Sequence, residues 1–191
     1  MTAKELCIIA ESFADAKTCY LKGFWMQYLS RSEYDRILKM YPVNAKYGND
    51  KYIGDKDMYP ADCICFIKGI LGGARIGNRI TYAQMKGNPV GDCTNIQWKE
   101  KLQKNPVSVT NAPAGCGLAT NNHAGISLGN GRWIDCNFSG SQNGVAVHTS
   151  GIEVFDTAGF IPGVEYVESD DVKDFLSWLY YCWKERKNLY E

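Results

Sequence analysis

Two hydrophobic rhythms divide this chain of 191 residues. Towards the front, apolar positions recur at helical spacing. Residues 3–14 read as an amphipathic helix, and Ser30-Arg31-Ser32-Glu33 reads as a capping box before a second one, Tyr34-Asp35-Arg36-Ile37-Leu38-Lys39-Met40. Pro42 ends it, because proline disfavours helical backbone in the residue before it. Residues 43–60 are polar, with Gly48, Asn49, Gly54 and Pro60, and predict a loop at the rim of a cleft. The run Ile64-Cys65-Phe66-Ile67-Lys68-Gly69-Ile70-Leu71 predicts a buried helix, and Thr94-Asn95-Ile96-Gln97 opens another through Lys104. From Gly117 onward the rhythm shortens, with strands expected near 117–120, 123–128, 132–138, 144–149 and 164–168. Helices followed by an antiparallel sheet make an α+β domain. The tail from Asp170 to Lys187, acids first and bases last, reads as a helix with an apolar stripe of Phe175, Trp178, Leu179, Cys182 and Trp183. The domain is expected over 1–168, and 169–191 is its helical extension, packed on its own domain or serving self-association or wall contact.

Chemistry enters at the start of the buried helix. Asp62 is a good N-cap, and Cys63 follows on the first turn, where free backbone N–H groups and the positive dipole end favour a thiolate. Alone, such a cysteine reads as a small core residue. A partner base changes that reading, and the chain has two histidines. His123 opens Asn122-His123-Ala124-Gly125-Ile126-Ser127-Leu128-Gly129-Asn130-Gly131-Arg132-Trp133-Ile134-Asp135, the pattern of a β-hairpin with a glycine-rich turn. Alternation places Ala124, Ile126 and Leu128 on one face and His123, Gly125 and Ser127 on the other; Trp133, Asp135 and Asn137 share a face of the return strand. A two-residue turn at Asn130-Gly131 would send Asp135 to the wrong side. The expected register uses an odd loop, either Gly129-Asn130-Gly131, setting His123 opposite Asn137, or one centred on Gly129, setting it opposite Asp135. His148 reads as an ordinary strand-end histidine.

A thiol at a helix start, an imidazole on a strand and an acid or amide on the next strand make a Cys-His-polar triad. Cys63 attacks a carbonyl carbon, His123 takes and returns the proton, and Asp135 fixes the imidazole tautomer. The Cys63 N–H is a natural oxyanion donor. Cys65 points about 200° away around the helix and cannot easily share that chemistry.

These residues, in this order, resemble the NlpC-type cell-wall cysteine endopeptidases. Asp62-Cys63-Ile64-Cys65-Phe66-Ile67 is similar to the family's Asp-Cys-Ser-Gly-Leu-Val, and His123 through Gly131 to its His-x-Gly-Ile-Tyr-x-Gly-x-Gly. Asp135 falls where that family has its third catalytic residue. Thr18-Cys19-Tyr20-Leu21-Lys22-Gly23 resembles its Tyr-x-x-Gly segment, whose tyrosine lines the site, and Tyr41-Pro42, Gly144–Val147 and Ile161–Tyr166 look like variants in phage and prophage lysins of Gram-positive hosts. The resemblance implies a papain-like fold and hydrolysis of an amide bond in a peptidoglycan stem peptide, beside D-glutamate, through Cys63, His123, Asp135 and an acyl-enzyme. Tyr20, Asp62 and Trp133 are then candidate substrate-binding residues. An N-acetylmuramoyl-L-alanine amidase using the same triad is the alternative, and a non-catalytic wall-peptide-binding module is the reading from a different class. Three departures stand out: Ile64-Cys65 replaces Ser-Gly, Ser127 stands where an aromatic is usual and alters the cleft wall, and an acid orients the histidine where a histidine or amide is commoner.

Twenty-one basic and 21 acidic residues cancel, and no polybasic run offers the footprint of a nucleic-acid binder. The start of the chain lacks the pattern of a secretion signal, and no stretch approaches the length of a membrane span. Eight cysteines in that setting predict reduced thiols rather than a disulfide framework. With no Cys-x-x-Cys pair, neither a zinc site nor a cofactor is expected. The resemblance implies a protein held in the cytoplasm until a holin-type pore releases it to the wall.

Overall fold

The computed structural model describes residues 1–166. The C-terminal helix expected over 169–191, with its apolar stripe and self-association, lies outside the described residues. Of the last expected strand, Glu165 makes one parallel bridge to Thr2.

The helices start where side chains can cap them. Helix α1 (Ala3–Ala14) carries a complete box: Thr2 Oγ1 accepts the Glu5 N–H, and the Glu5 carboxylate accepts the Thr2 N–H. A short strand β1 (Thr18–Tyr20) leads to α2 (Arg31–Met40). There Ser30 caps Glu33, but the Glu33 carboxylate binds Arg36 at 2.7 Å instead of closing the expected box. Half of the stretch expected as a rim loop is 3-10 helix, in the two pieces Pro42–Tyr47 and Asn49–Tyr52. Its fully buried Asn44 and Asn49 brace the neighbouring chain: Asn44 exchanges two hydrogen bonds with the Lys22 backbone, and Asn49 Nδ2 donates to Tyr20 O. A buried amide satisfied on both ends fixes a segment far better than an exposed loop could. Strand β2 (Tyr59–Ala61) pairs in parallel with β1 and delivers the chain into α3 (Cys63–Leu71).

Helix α3 is buried from Cys63 through Ile70, which explains an apolar run with no polar stripe. Two further capping boxes open α4 (Tyr82–Lys86), from Thr81 and Gln84, and α5 (Asn95–Leu102), from Thr94 and Gln97. The six-stranded sheet comprises β3 (Pro106–Val107), β4 (Gly117–Ala119), β5 (Ala124–Gly129), β6 (Arg132–Ser139), β7 (Gln142–His148) and β8 (Thr157–Gly159). Its order is β3-β8-β4-β5-β6-β7, antiparallel throughout. Helix α3 lies against β5 and β6, and α5 against β4 and β8. The fold is therefore α+β, with the helix that begins at Cys63 packed on the strands around His123 and Asp135. Close approach of α5 requires Gly159, where an added Cβ would stand 2.2 Å from Leu102 O. No helix among the described residues is long and apolar enough to cross a membrane.

The hairpin that decides the site differs from the expected odd loop. Gly129 pairs with Arg132 across the two-residue turn Asn130-Gly131, both at positive φ (54° and 74°). Taken alone, that turn would point Asp135 away from His123. A bulge between Ser127 and Gly129 inserts one extra residue on β5, so that Ser127 pairs with Trp133 and Ile126 with Ile134. Ser127 holds the bulge, its Oγ donating to Ala112 O and accepting the Gly129 N–H. Fully buried there, Ser127 forms no part of the cleft wall expected of it.

Candidate active site

Asp62 has extended backbone, and its Oδ1 accepts the Cys65 N–H at 2.7 Å, capping α3. Its Oδ2 accepts the Gly23 N–H at 2.7 Å, tying the turn after β1 to the helix start. Gly23 sits at φ +78°, and an added Cβ would meet the Tyr41 ring at 2.2 Å, so this position of the Tyr-x-x-Gly segment needs a glycine. Both oxygens of Asp62 are thus engaged by backbone, which makes it a scaffold of the site more than a free ligand for substrate. With the cap taking the Cys65 N–H, the Cys63 and Ile64 N–H groups remain at the open helix end.

His123 is set by a tight turn between β4 and β5. Thr120 Oγ1 accepts the N–H groups of Asn122 and His123, and the Thr120 N–H donates to His123 O at 2.9 Å. The imidazole stacks on Phe155, centroids 5.7 Å apart and rings within 13° of parallel. Phe155 fits there because position 125 has no side chain; a Cβ on Gly125 would lie 2.9 Å from Phe155 Cζ. His123 Nε2 stands 2.6 Å from Asp135 Oδ2, and the carboxylate is fully buried. A carboxylate acceptor puts the proton on Nε2, which leaves Nδ1 to exchange a proton with Cys63. Asp135, not Asn137, is the orienter; continued by three residues, the β5–β6 register sets His123 opposite Asn137, with Asp135 its diagonal neighbour.

Burial pulls the His123 pKa down, but hydrogen bonds to Asp135 and to Cys63 outweigh it and push it up from 6.5 to about 9. A folded-state value above the unfolded one stabilises the protein below pH 6.5 and loses that contribution as the pH rises through about 9. The parent should therefore lose up to about 3 kcal/mol more stability across this window than a His123→Gln variant. Chemical denaturation at both ends of the window measures the difference, and equal losses in the two proteins would contradict the coupling.

Cys63 is buried and borders a cavity of about 370 Å³ that Tyr20 and Asn95 also line. Tyr20 packs edge-on against Tyr47 at 5.3 Å, and burial first, then the nearby Cys63, raises its phenol pKa. The carboxamide of Asn95, the first residue of α5, lies within 3.7 Å of Cys63 Sγ through Oδ1 and 3.6 Å through Nδ2. A larger cavity of about 740 Å³ lies on the other flank of the helix start, where Cys65, Trp25 and Tyr82 line it. Lys22, Asp62, Ile64 and Thr94 border both. Cys63 and Cys65 therefore open onto different spaces. Burial drives the Cys65 and Cys136 thiols well above the ordinary range and Cys19 and Cys116 to about 12. The seven cysteines among the described residues are all buried and free.

Trp133, a candidate for binding substrate, is buried and borders neither of these two cavities. Its indole stacks on His148 with centroids 3.8 Å apart, meets Phe155 edge-on, and donates Nε1–H to Ser150 O. It belongs to the packed layer behind Asp135. His148 is likewise no ordinary strand-end residue, because its Nε2 lies 3.0 Å from Asp135 Oδ1, which also accepts from Gln142 Nε2 at 2.9 Å. A signal for His148 exists in the sequence. Gly140-Ser141 is a two-residue hairpin dipeptide, and counting outward from it pairs His148 with Trp133, on the face of Asp135. Asn95 could be read as part of a capping sequence, but nothing local links it to Cys63.

Among the described residues, no group of three or more His, Cys, Asp or Glu side chains could hold a metal ion. Comparison with protein-family models, with curated proteins and with solved structures finds no match, so the side chains around Cys63 are the basis on which a function is read.

Proposed function

We propose that this protein is a cysteine amidohydrolase of papain-like design that cleaves an amide bond in peptidoglycan stem peptides. The observation that carries the chemistry is the line of side chains Cys63, His123 and Asp135, with the thiol at a capped helix start and the imidazole bonded at 2.6 Å to a buried carboxylate. In the reaction, His123 holds the thiol proton on Nδ1 as an imidazolium, and Cys63 Sγ attacks the carbonyl carbon. The Cys63 N–H and the Asn95 carboxamide donate to the oxyanion, and His123 returns the proton to the departing amine nitrogen. Water, deprotonated by His123, then adds to the thioester, and its collapse releases a carboxylic acid and the thiol.

The substrate class rests on the motif resemblance, and the cavities agree with it. Together they offer room for several residues of an extended peptide on both sides of Ile64. Lys22, exposed and in no ion pair among the described residues, borders both and presents a cation to a carboxylate-bearing peptide such as one containing D-glutamate. The test is mass spectrometry of fragments released from purified walls. A new amino terminus within the stem peptide is expected. Release of intact stem peptides bearing a free L-alanine amine would assign the amidase activity instead, and no release from walls of any chemotype would remove peptidoglycan as the substrate.

A further inference from the structure

His148 takes no part in the steps above, yet the fold builds it into their support. Trp133 pairs with His148 and Asp135 with Ala146 across β6 and β7, so His148 is the diagonal neighbour of Asp135 on one side, as His123 is on the other. The two oxygens of the carboxylate divide the work. Oδ2 faces His123, while Oδ1 receives Gln142 Nε2 from the start of β7 and His148 Nε2 from its end. The His148 ring is itself fixed by its stack on Trp133, rings within 13° of parallel, and Trp133 is held by Ser150 O.

We propose that His148 is a positioning residue: its Nε2–H clamps Oδ1 of Asp135 so that Oδ2 stays aimed at Nε2 of His123, extending the triad to Cys63-His123-Asp135-His148. This rests on the reading of Cys63 as nucleophile, not on which bond is cut. The physical need is plain. A fully buried carboxylate is tolerable only when its lone pairs are met by donors, and one left short turns towards whichever donor remains. Gln142 alone leaves that rotation open, because its Nε2 also serves Gly144 O at 3.0 Å. A second donor arriving from the opposite end of the strand closes it.

Two substitutions separate this role from simple space filling. His148→Phe keeps a ring to stack on Trp133 and removes the donor; His148→Gln keeps a nitrogen donor at the place of Nε2 and removes the ring. The readout is the rate at which iodoacetamide alkylates Cys63 at neutral pH in the folded protein, followed on the Cys63 peptide by mass spectrometry, with melting temperature recorded beside it. It needs no wall substrate, so failure to release muropeptides would leave this test standing. The Phe variant should alkylate about tenfold more slowly than the parent, with the Gln variant close to the parental rate. Parental reactivity in the Phe variant, or equal losses in both, overturns the proposal. Should the Phe variant not fold, imidazole nitrogen NMR of the parent decides: a proton on His148 Nε2 is required, and a bare Nε2 at neutral pH overturns it.

Discussion

Cys63→Ala is expected to lower hydrolysis of walls by about 10⁶-fold, to the level of an inert protein, while Cys65→Ala stays within about tenfold of the parent. The contrast comes from where the two thiols sit, two residues apart on α3. Cys63 borders the cavity shared with Tyr20 and Asn95 and lies in reach of His123; replacing its sulfur with hydrogen leaves no nucleophile, and no neighbouring group can supply one. Cys65 is 6% exposed, its thiol pKa is driven far up by burial, and its backbone N–H, which any residue carries, is the part that Asp62 uses. Its loss removes one buried sulfur from the core at a cost of about 1 kcal/mol, not a reacting atom. Release of muropeptides, quantified against time, measures both variants. Activity in Cys63→Ala above a hundredth of the parental rate would falsify the assignment of the nucleophile, and collapse in a well-folded Cys65→Ala would show that the wrong thiol had been chosen.

Helix starts were legible because a cap is a local device. Thr94 with Gln97, and Asp62 before Cys63, need only three or four neighbouring residues to satisfy the first N–H groups. Short elements were not. Helix α4 has five residues and β8 three, too few for either rhythm to show, and β1 and β2 exist as a pair only because the chain returns to lie beside itself. The hairpin shows how a right conclusion can have a different cause. His123 and Asp135 do share a face, but through a bulge held by the buried Ser127 hydroxyl rather than through an odd loop. The same serine was assigned to the cleft because its place in the motif usually holds an aromatic, and pattern alone could not say that its side chain turns towards Ala112.

The candidate site divides in the same way. Cys63, His123 and Asp135 each announce themselves by residue type beside a recognisable turn or cap, so their meeting could be argued from two short segments. Their supports come from further off and carry no local mark. Asn95 reaches Cys63 from the start of α5, and Asn44 and Asn49 hold the Tyr20–Lys22 segment from a stretch that looked like loop. Trp133 goes the other way: the family resemblance makes it a candidate for substrate contact, whereas pairing with His148 places it in the layer behind Asp135. Only tertiary packing decides such cases, since an aromatic on a half-buried strand fits either role.

Asp135→Asn is expected to cost about 10⁴-fold in kcat at neutral pH while leaving the protein folded, as loss of a buried orienting carboxylate does in a nucleophile–histidine–acid triad. The carboxylate accepts from three side chains, His123 at one oxygen and Gln142 and His148 at the other. An amide has one acceptor oxygen, so one side must meet an NH₂ group. If the NH₂ faces His123, Nε2 becomes the acceptor, the ring proton moves to Nδ1, and the nitrogen that should take the Cys63 proton is blocked. If it faces the other way, the Gln142 N–H loses its acceptor inside the core, at a cost of about 1–3 kcal/mol, and the imidazolium loses the countercharge beside it. Either outcome also removes the charged acceptor behind the hydrogen bond that leads the upward shift of the His123 pKa, so the extra stability below pH 9 should shrink in this variant as it does in His123→Gln. Cys63 remains in place, which makes the two measurements complementary: muropeptide release reports the catalytic loss, and denaturation across the pH window reports the lost coupling. An Asp135→Asn protein that keeps parental kcat and the parental pH dependence of stability would show that His123 is oriented by something other than this carboxylate.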